Sequence, residues 1–250
     1  MPLTPLILSP SLPSELLTYI IRHHQYPTTL IVCSSQAEFL QSLIADAQES
    51  FSVAADGSQA HALSSLLSSP LHQVAIVRHI RVIFVPTVSH LRACLSVFTT
   101  EDSKVPAPPA TTSFRTGARP LLLVYGFLAL HRDTSEWSAQ GISSTATGLA
   151  EAARRVGFRA VVVDPPRVVM QAEADADVQG LGDYDGRVGN ERGQTVLSEE
   201  VPVLSASARR AGADLDEADW TGRTVTLARV MGRWFRYRQG DWLQGTQERI

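Results

Sequence analysis

Apolar residues are distributed along the chain in two alternating patterns. Four short runs carry no polar alternation: 28–33 (TTLIVC), 81–85 (RVIFV), 121–124 (LLLV) and 160–163 (AVVV). Continuous β-branched and leucine-rich runs of that length predict strands buried on both faces. Around them apolar residues recur at helical spacing: Leu16, Leu17, Ile20 and Ile21 within 14–24, Phe39, Leu40, Leu43 and Ile44 before Gln48, and Leu91, Cys94, Leu95 and Phe98. A long helix is expected over roughly 143–156, with Gly157 at its C-cap. Ser34 and Ser35 occupy a natural N-cap position ahead of the helix that begins near Gln36. A further helix is expected over 60–71 and a short strand over 73–77.

Strands of this kind alternating with helices imply an α/β fold, a mostly parallel sheet flanked by helices, in a single domain spanning 1–250. Two segments interrupt the alternation. Residues 101–118 are rich in Pro, Ser, Thr and Ala, and residues 171–200 are acidic and glycine-rich, so both are expected to be exposed, flexible loops. The β-rich runs 224–230 and 234–238, on either side of Gly232, are expected to form a C-terminal β-hairpin.

Composition narrows the function classes. A net charge of −3 gives no global basic field, so a nucleic-acid partner would need a local patch. No apolar run approaches the roughly 20 residues that a membrane-spanning helix needs, and no membrane partner is expected. Cys33 and Cys94 sit within apolar runs as small hydrophobes, which suits a reducing intracellular compartment. His23, His24, His61, His72, His79 and His90 match no ligand spacing, so no metal site is expected. Asp133 and Glu136, near Trp137, are read as part of a solvated loop.

The stretch 121–164 (LLLVYGFLALHRDTSEWSAQGISSTATGLAEAARRVGFRAVVVD) resembles the core of RecA-family recombinases. It has an apolar strand, a short apolar segment, a polar excursion, a helix opening at Ser138-Ala139-Gln140 and a valine-rich strand. That resemblance implies a RecA-like sheet, and the departures from the family's pattern matter as much as the match. ATPases of that family hold phosphates with G-x-x-x-x-G-K-[ST] and magnesium with an acidic residue at the end of a later strand. The expected phosphate loop, after the strand ending at Cys33, reads Ser34, Ser35, Gln36, Ala37, Glu38, without glycine or lysine. The chain's single lysine, Lys104, lies in the proline-rich segment, and Tyr125 stands where the metal-orienting acid belongs. Ser34, Ser35, Gln36 and Tyr125 are therefore read as a degenerate nucleotide site, with no ATPase activity and no cofactor.

Arg229, Arg233, Arg236 and Arg238 interleave with Trp234 and Tyr237, a pattern that can track a phosphate backbone while aromatic rings stack on bases. The competing expectation packs the aromatic rings on the core and leaves the arginines in solvent. Val97, Phe98, residues 127–130 (FLAL) and Trp137 are candidate subunit contacts. The resemblance implies a pseudo-ATPase similar to the RecA-like subunits of the Shu complex. Such a protein would be a nuclear scaffold for another RecA-like subunit in homologous-recombination DNA repair, with DNA as a further expected partner. The alternative is an accessory RecA-like subunit of the Elongator complex, which serves tRNA wobble-uridine modification.

Overall fold

A computed structural model describes residues 4–22, 26–53, 77–101, 105, 120–167, 196–204, 223–240 and 242. In chain order its elements are β1 (Leu6–Leu8), α1 (Pro13–Arg22), β2 (Thr28–Val32), α2 (Gln36–Val53), β3 (Ile80–Phe84), α3 (Val88–Val97), β4 (Leu121–Tyr125), α4 (Phe127–His131), α5 (Ala139–Val156), β5 (Arg159–Val163), β6 (Glu200–Pro202), β7 (Thr224–Thr226), α6 (Leu227–Met231) and β8 (Arg236–Arg238). Six strands form one sheet in the order β3-β2-β4-β5-β1-β8, and every pairing within it is parallel. The arrangement is α/β with helices on both faces, consistent with a RecA-like fold.

The four expected strands form within a residue of their predicted bounds and occupy neighbouring positions from β3 to β5. β2 and β4 are buried along their whole length, as strands covered on both faces must be. Their side chains alternate between two apolar clusters. Leu30, Val32, Leu121, Leu123 and Tyr125 pack with Leu16, Ile20 and Phe39 under α1 and α2. Ile31, Cys33, Leu122 and Val124 pack with residues of α3, α5 and α6 on the other face.

Caps fix the helix ends. Thr87 accepts from the His90 amide at the start of α3, and Ser138 accepts from the Gly141 amide at the start of α5. Gly157 closes α5 at φ 75°, a left-handed conformation that favours glycine, as the sequence pattern implied. Gly126, at φ 83°, provides the same freedom where the chain leaves β4 and turns into α4.

β1 was not expected. Leu6–Leu8 is three residues long and lies between Pro5 and Pro10, too short to carry a period. It forms because β5 and β8 supply hydrogen-bonding partners on its two sides.

The antiparallel pair expected near the C-terminus exists, but with other partners: β7 pairs with β6, Val225 opposite Val201. Among the described residues, no strands pair across Gly232. Leu227, Val230 and Met231 are buried at i, i+3 and i+4, so this run folds as a helix on α5, and the Thr226 hydroxyl caps it. Arg236–Arg238 then joins the main sheet as an edge strand.

Of the expected loops, residues 102–104, 106–118 and 171–195 lie outside the described residues apart from Val105, as do the expected helix 60–71 and residues 73–76. At the end of the second loop, Val196 and Leu197 form a helical turn and Glu200 opens β6.

Candidate functional site

In open α/β sheets, ligands bind beyond the carboxyl ends of the strands, so the residues that fill that crevice determine what this fold can hold. Three of them meet at the ends of β4, β5 and β1. The Tyr125 hydroxyl donates to the Ser11 carbonyl oxygen at 3.0 Å, and the Ser11 amide donates to the Asp164 carbonyl oxygen at 3.1 Å. Asp164 follows β5, and its Oδ1 accepts from the Leu128 and Ala129 amides at 2.8 and 3.1 Å, which caps the start of α4. Its Oδ2 and the Ser11 Oγ are buried and find no hydrogen-bond partner among the described residues.

Burial sets the protonation of this cluster. It pushes the Asp164 carboxyl up to about 6, against the Ala129 and Leu128 amides and the charge of Arg132. It also raises the Tyr125 phenol, with the Asp164 charge adding to the effect. The Cys33 thiol is raised by burial and then by the charges of Asp164 and Cys94.

The loop after β1 leads into α1, where a helix N-terminus could offer free amides to an anion. Two amides at this start are engaged by the chain's own carboxylates. The Leu12 amide donates to Glu15 Oε2 and the Ser14 amide to Asp46 Oδ2, each at 2.9 Å, while Pro13 has no N–H to offer. The residues here, Ser9 to Ser14, read SPSLPS and contain neither glycine nor lysine.

Ser34, Ser35 and Gln36 lie at the carboxyl end of β2. The Ser35 amide donates to Glu38 Oε2 at 2.8 Å and the Glu38 amide to Ser35 Oγ at 3.2 Å, a reciprocal cap. Hydrogen bonding from the Ser35 amide, and then from the Ser35 side chain, holds the Glu38 carboxyl below its ordinary range. The Ser34 hydroxyl donates to the Ser35 carbonyl oxygen at 3.3 Å. Tyr125 joins this turn through its backbone, accepting from the Cys33 amide at 2.8 Å, whereas its side chain reaches the loop after β1. Tyr125 is expected from its position to belong with the turn after β2. Its hydroxyl instead reaches the turn after β1, a strand that only its pairing with β5 and β8 reveals.

The arginine-rich run is divided between the two faces of the sheet. Arg236 and Arg238 stand beside Leu6 and Leu8, on the face packed by α1, whereas Tyr237 stands beside Ile7 on the other. Arg229 and Arg233 line a groove of about 420 Å³ bounded by α5, the β6–β7 ribbon and α6. Trp234 is 38% exposed, with its indole N–H 3.4 Å from Ser143 Oγ, while Phe235 is buried in the core. The six residues of the proposed nucleic-acid set therefore do not form one track.

Of the candidate subunit contacts, Phe98, Phe127 and Leu128 are core residues, while Val97 is exposed. The polar excursion between α4 and α5 is tied down. Glu136 Oε2 pairs with Arg92 at 2.6 Å, and Arg132 forms a two-pronged pair with Glu199 while lying over the Trp137 ring. The Arg92 Nε donates to Thr145 Oγ1, which also lies 3.0 Å from Nε2 of the buried His131. Burial lowers the His131 imidazole, and the Arg92 charge adds to this against the Phe127 carbonyl and Glu136.

Among the described residues, no group of three or more His, Cys, Asp or Glu side chains is placed to hold a metal ion. No described helix is long and apolar enough to cross a membrane. Comparison of the chain with protein-family models, with curated proteins and with solved structures finds no match.

Proposed function

We propose that this chain is a non-catalytic RecA-like subunit, a scaffold for another RecA-like protein in a nuclear complex serving homologous-recombination DNA repair. The observation that carries the non-catalytic part is the filling of the crevice by the chain itself. Tyr125 reaches across to Ser11, Glu15 takes the Leu12 amide just before α1, and Asp46 takes the Ser14 amide in its first turn. A triphosphate binding there would have to displace two carboxylates and a tyrosine, and would bring its own negative charge beside them. The parallel six-stranded sheet supports the RecA-like part. The recombination role rests on the resemblance of residues 121–164 to recombinase cores.

Two experiments test the two parts. Titration with ATP and magnesium should give neither binding heat nor a shift in melting temperature, and micromolar binding would overturn the non-catalytic reading. Affinity purification from the source cells should recover a second RecA-like protein with recombination factors. Recovery of tRNA-modification subunits instead would transfer the chain to an Elongator-type assembly.

A further inference from the structure

We infer that the groove between α5, the β6–β7 ribbon and α6 docks an acidic segment of a partner protein. The segment's apolar side chain would enter the groove and its carboxylates would rest on Arg229 and Arg233. The groove encloses about 420 Å³, within the roughly 300–1,000 Å³ of ligand-sized clefts. Its apolar lining comes from Val203, Leu204, Val225 and Val230, and Ser143 and Ser144 of α5 line one wall.

Charge decides the occupant. Arg92, Arg132, Arg154 and Arg167 each pair with a glutamate. Arg229 and Arg233 line the groove and have no ion-pair partner among the described residues. Guanidinium presents a planar fork suited to two-pronged binding of a carboxylate.

A nucleic-acid strand fits less well. It needs successive cations along one surface, and the sheet register puts Arg236 and Arg238 on the opposite face from this groove. An acidic peptide with an apolar anchor matches both the lining and the two cations.

The inference goes beyond the scaffold reading and is independent of the filled crevice. Nucleotide titration tests the crevice, and peptide binding tests the groove.

The experiment measures fluorescence anisotropy of the full chain with a short fluorescein-labelled Glu-Glu-Leu repeat peptide, a matched Gln-Gln-Leu peptide and labelled oligo(dT). The acidic peptide should bind, and the Gln-Gln-Leu peptide should bind more weakly. The double variant Arg229→Glu/Arg233→Glu should weaken binding of the acidic peptide about tenfold or more, equivalent to about 1.4 kcal/mol. All the arginines concerned are exposed, so both double variants should keep the wild-type melting temperature. Arg236→Glu/Arg238→Glu adds the same charge on the other face and should leave binding within about twofold, a shift under about 0.5 kcal/mol. Absence of binding, equal binding of the two peptides, or equal losses in the two double variants would overturn the inference. Tighter binding of oligo(dT) that depends on Arg229 and Arg233 would also overturn it, in favour of nucleic acid.

Discussion

Tyr125 and Ser11 stand 114 residues apart in the chain, yet the phenolic hydroxyl of one donates to the carbonyl oxygen of the other at 3.0 Å. The bond is buried and joins the end of β4 to the loop after β1. Tyr125→Phe removes the donor and leaves a buried carbonyl without it, at an expected cost of about 1–2 kcal/mol. Tyr125→Ala also opens a cavity beside Phe39 and should cost about 3–5 kcal/mol. Urea unfolding measures both. A Tyr125→Phe protein as stable as wild type would show that the bond contributes nothing to holding the loop.

The carboxylate of Asp46 caps α1 from another helix, accepting from the Ser14 amide at 2.9 Å. Asp46→Ala should destabilise the fold by about 1–2 kcal/mol through loss of a charge-assisted bond at a helix N-terminus. The same variant exposes the amide and tests the crevice: it should still fail to bind ATP, because Tyr125 and Glu15 remain in place.

Two buried groups give stability an opposed dependence on pH. His131 is lowered from its ordinary 6.5, so the folded state binds its proton less readily than the unfolded chain. Its contribution is fully present above pH 6.5 and is lost as pH falls through the lowered folded value. Asp164 is raised from 3.8 to about 6. Its contribution is present below pH 3.8 and is lost as pH rises through about 6. Asp164→Asn keeps an acceptor for the α4 amides and removes the charge. It should raise stability at pH 7 by on the order of 2 kcal/mol. It should also unmask a loss of stability below pH 6.5 due to His131. Urea midpoints collected from pH 4 to 8 check this, and a wild-type and an Asp164→Asn profile that run parallel would refute it.

Adjacent aromatic residues near the C-terminus should respond differently to truncation. Trp234 is 38% exposed and rests on Ser143, whereas Phe235 is 2% exposed and packs in the core beneath α5 and α6. Trp234→Ala is expected to cost about 1 kcal/mol or less, and Phe235→Ala about 3–5 kcal/mol. Thermal melts of the two variants suffice. A larger loss at Trp234 would mean that the sequence expectation of a core-packed tryptophan was correct.

What the sequence determined by itself was the class of fold and its innermost strands. The runs at 28–33, 81–85, 121–124 and 160–163 are apolar without alternation, and only burial on both faces suits such runs. Capping was local as well: Ser35 and Gly157 act within a few residues of their own positions, and their side-chain chemistry or backbone freedom suffices to place helix ends. Tertiary structure alone decided the elements that owe their hydrogen bonds to distant strands. Leu6–Leu8 is a strand because β5 and β8 flank it, and Arg236–Arg238 is one because β1 does. Three residues cannot display a period or offset their own ordering entropy without such partners. The placement of the candidate site residues was decided at the same level. Tyr125 met Ser11 once β1 took its place beside β5, and the arginines were divided when β8 paired in parallel with β1, since side chains alternate faces along a strand whatever their charge.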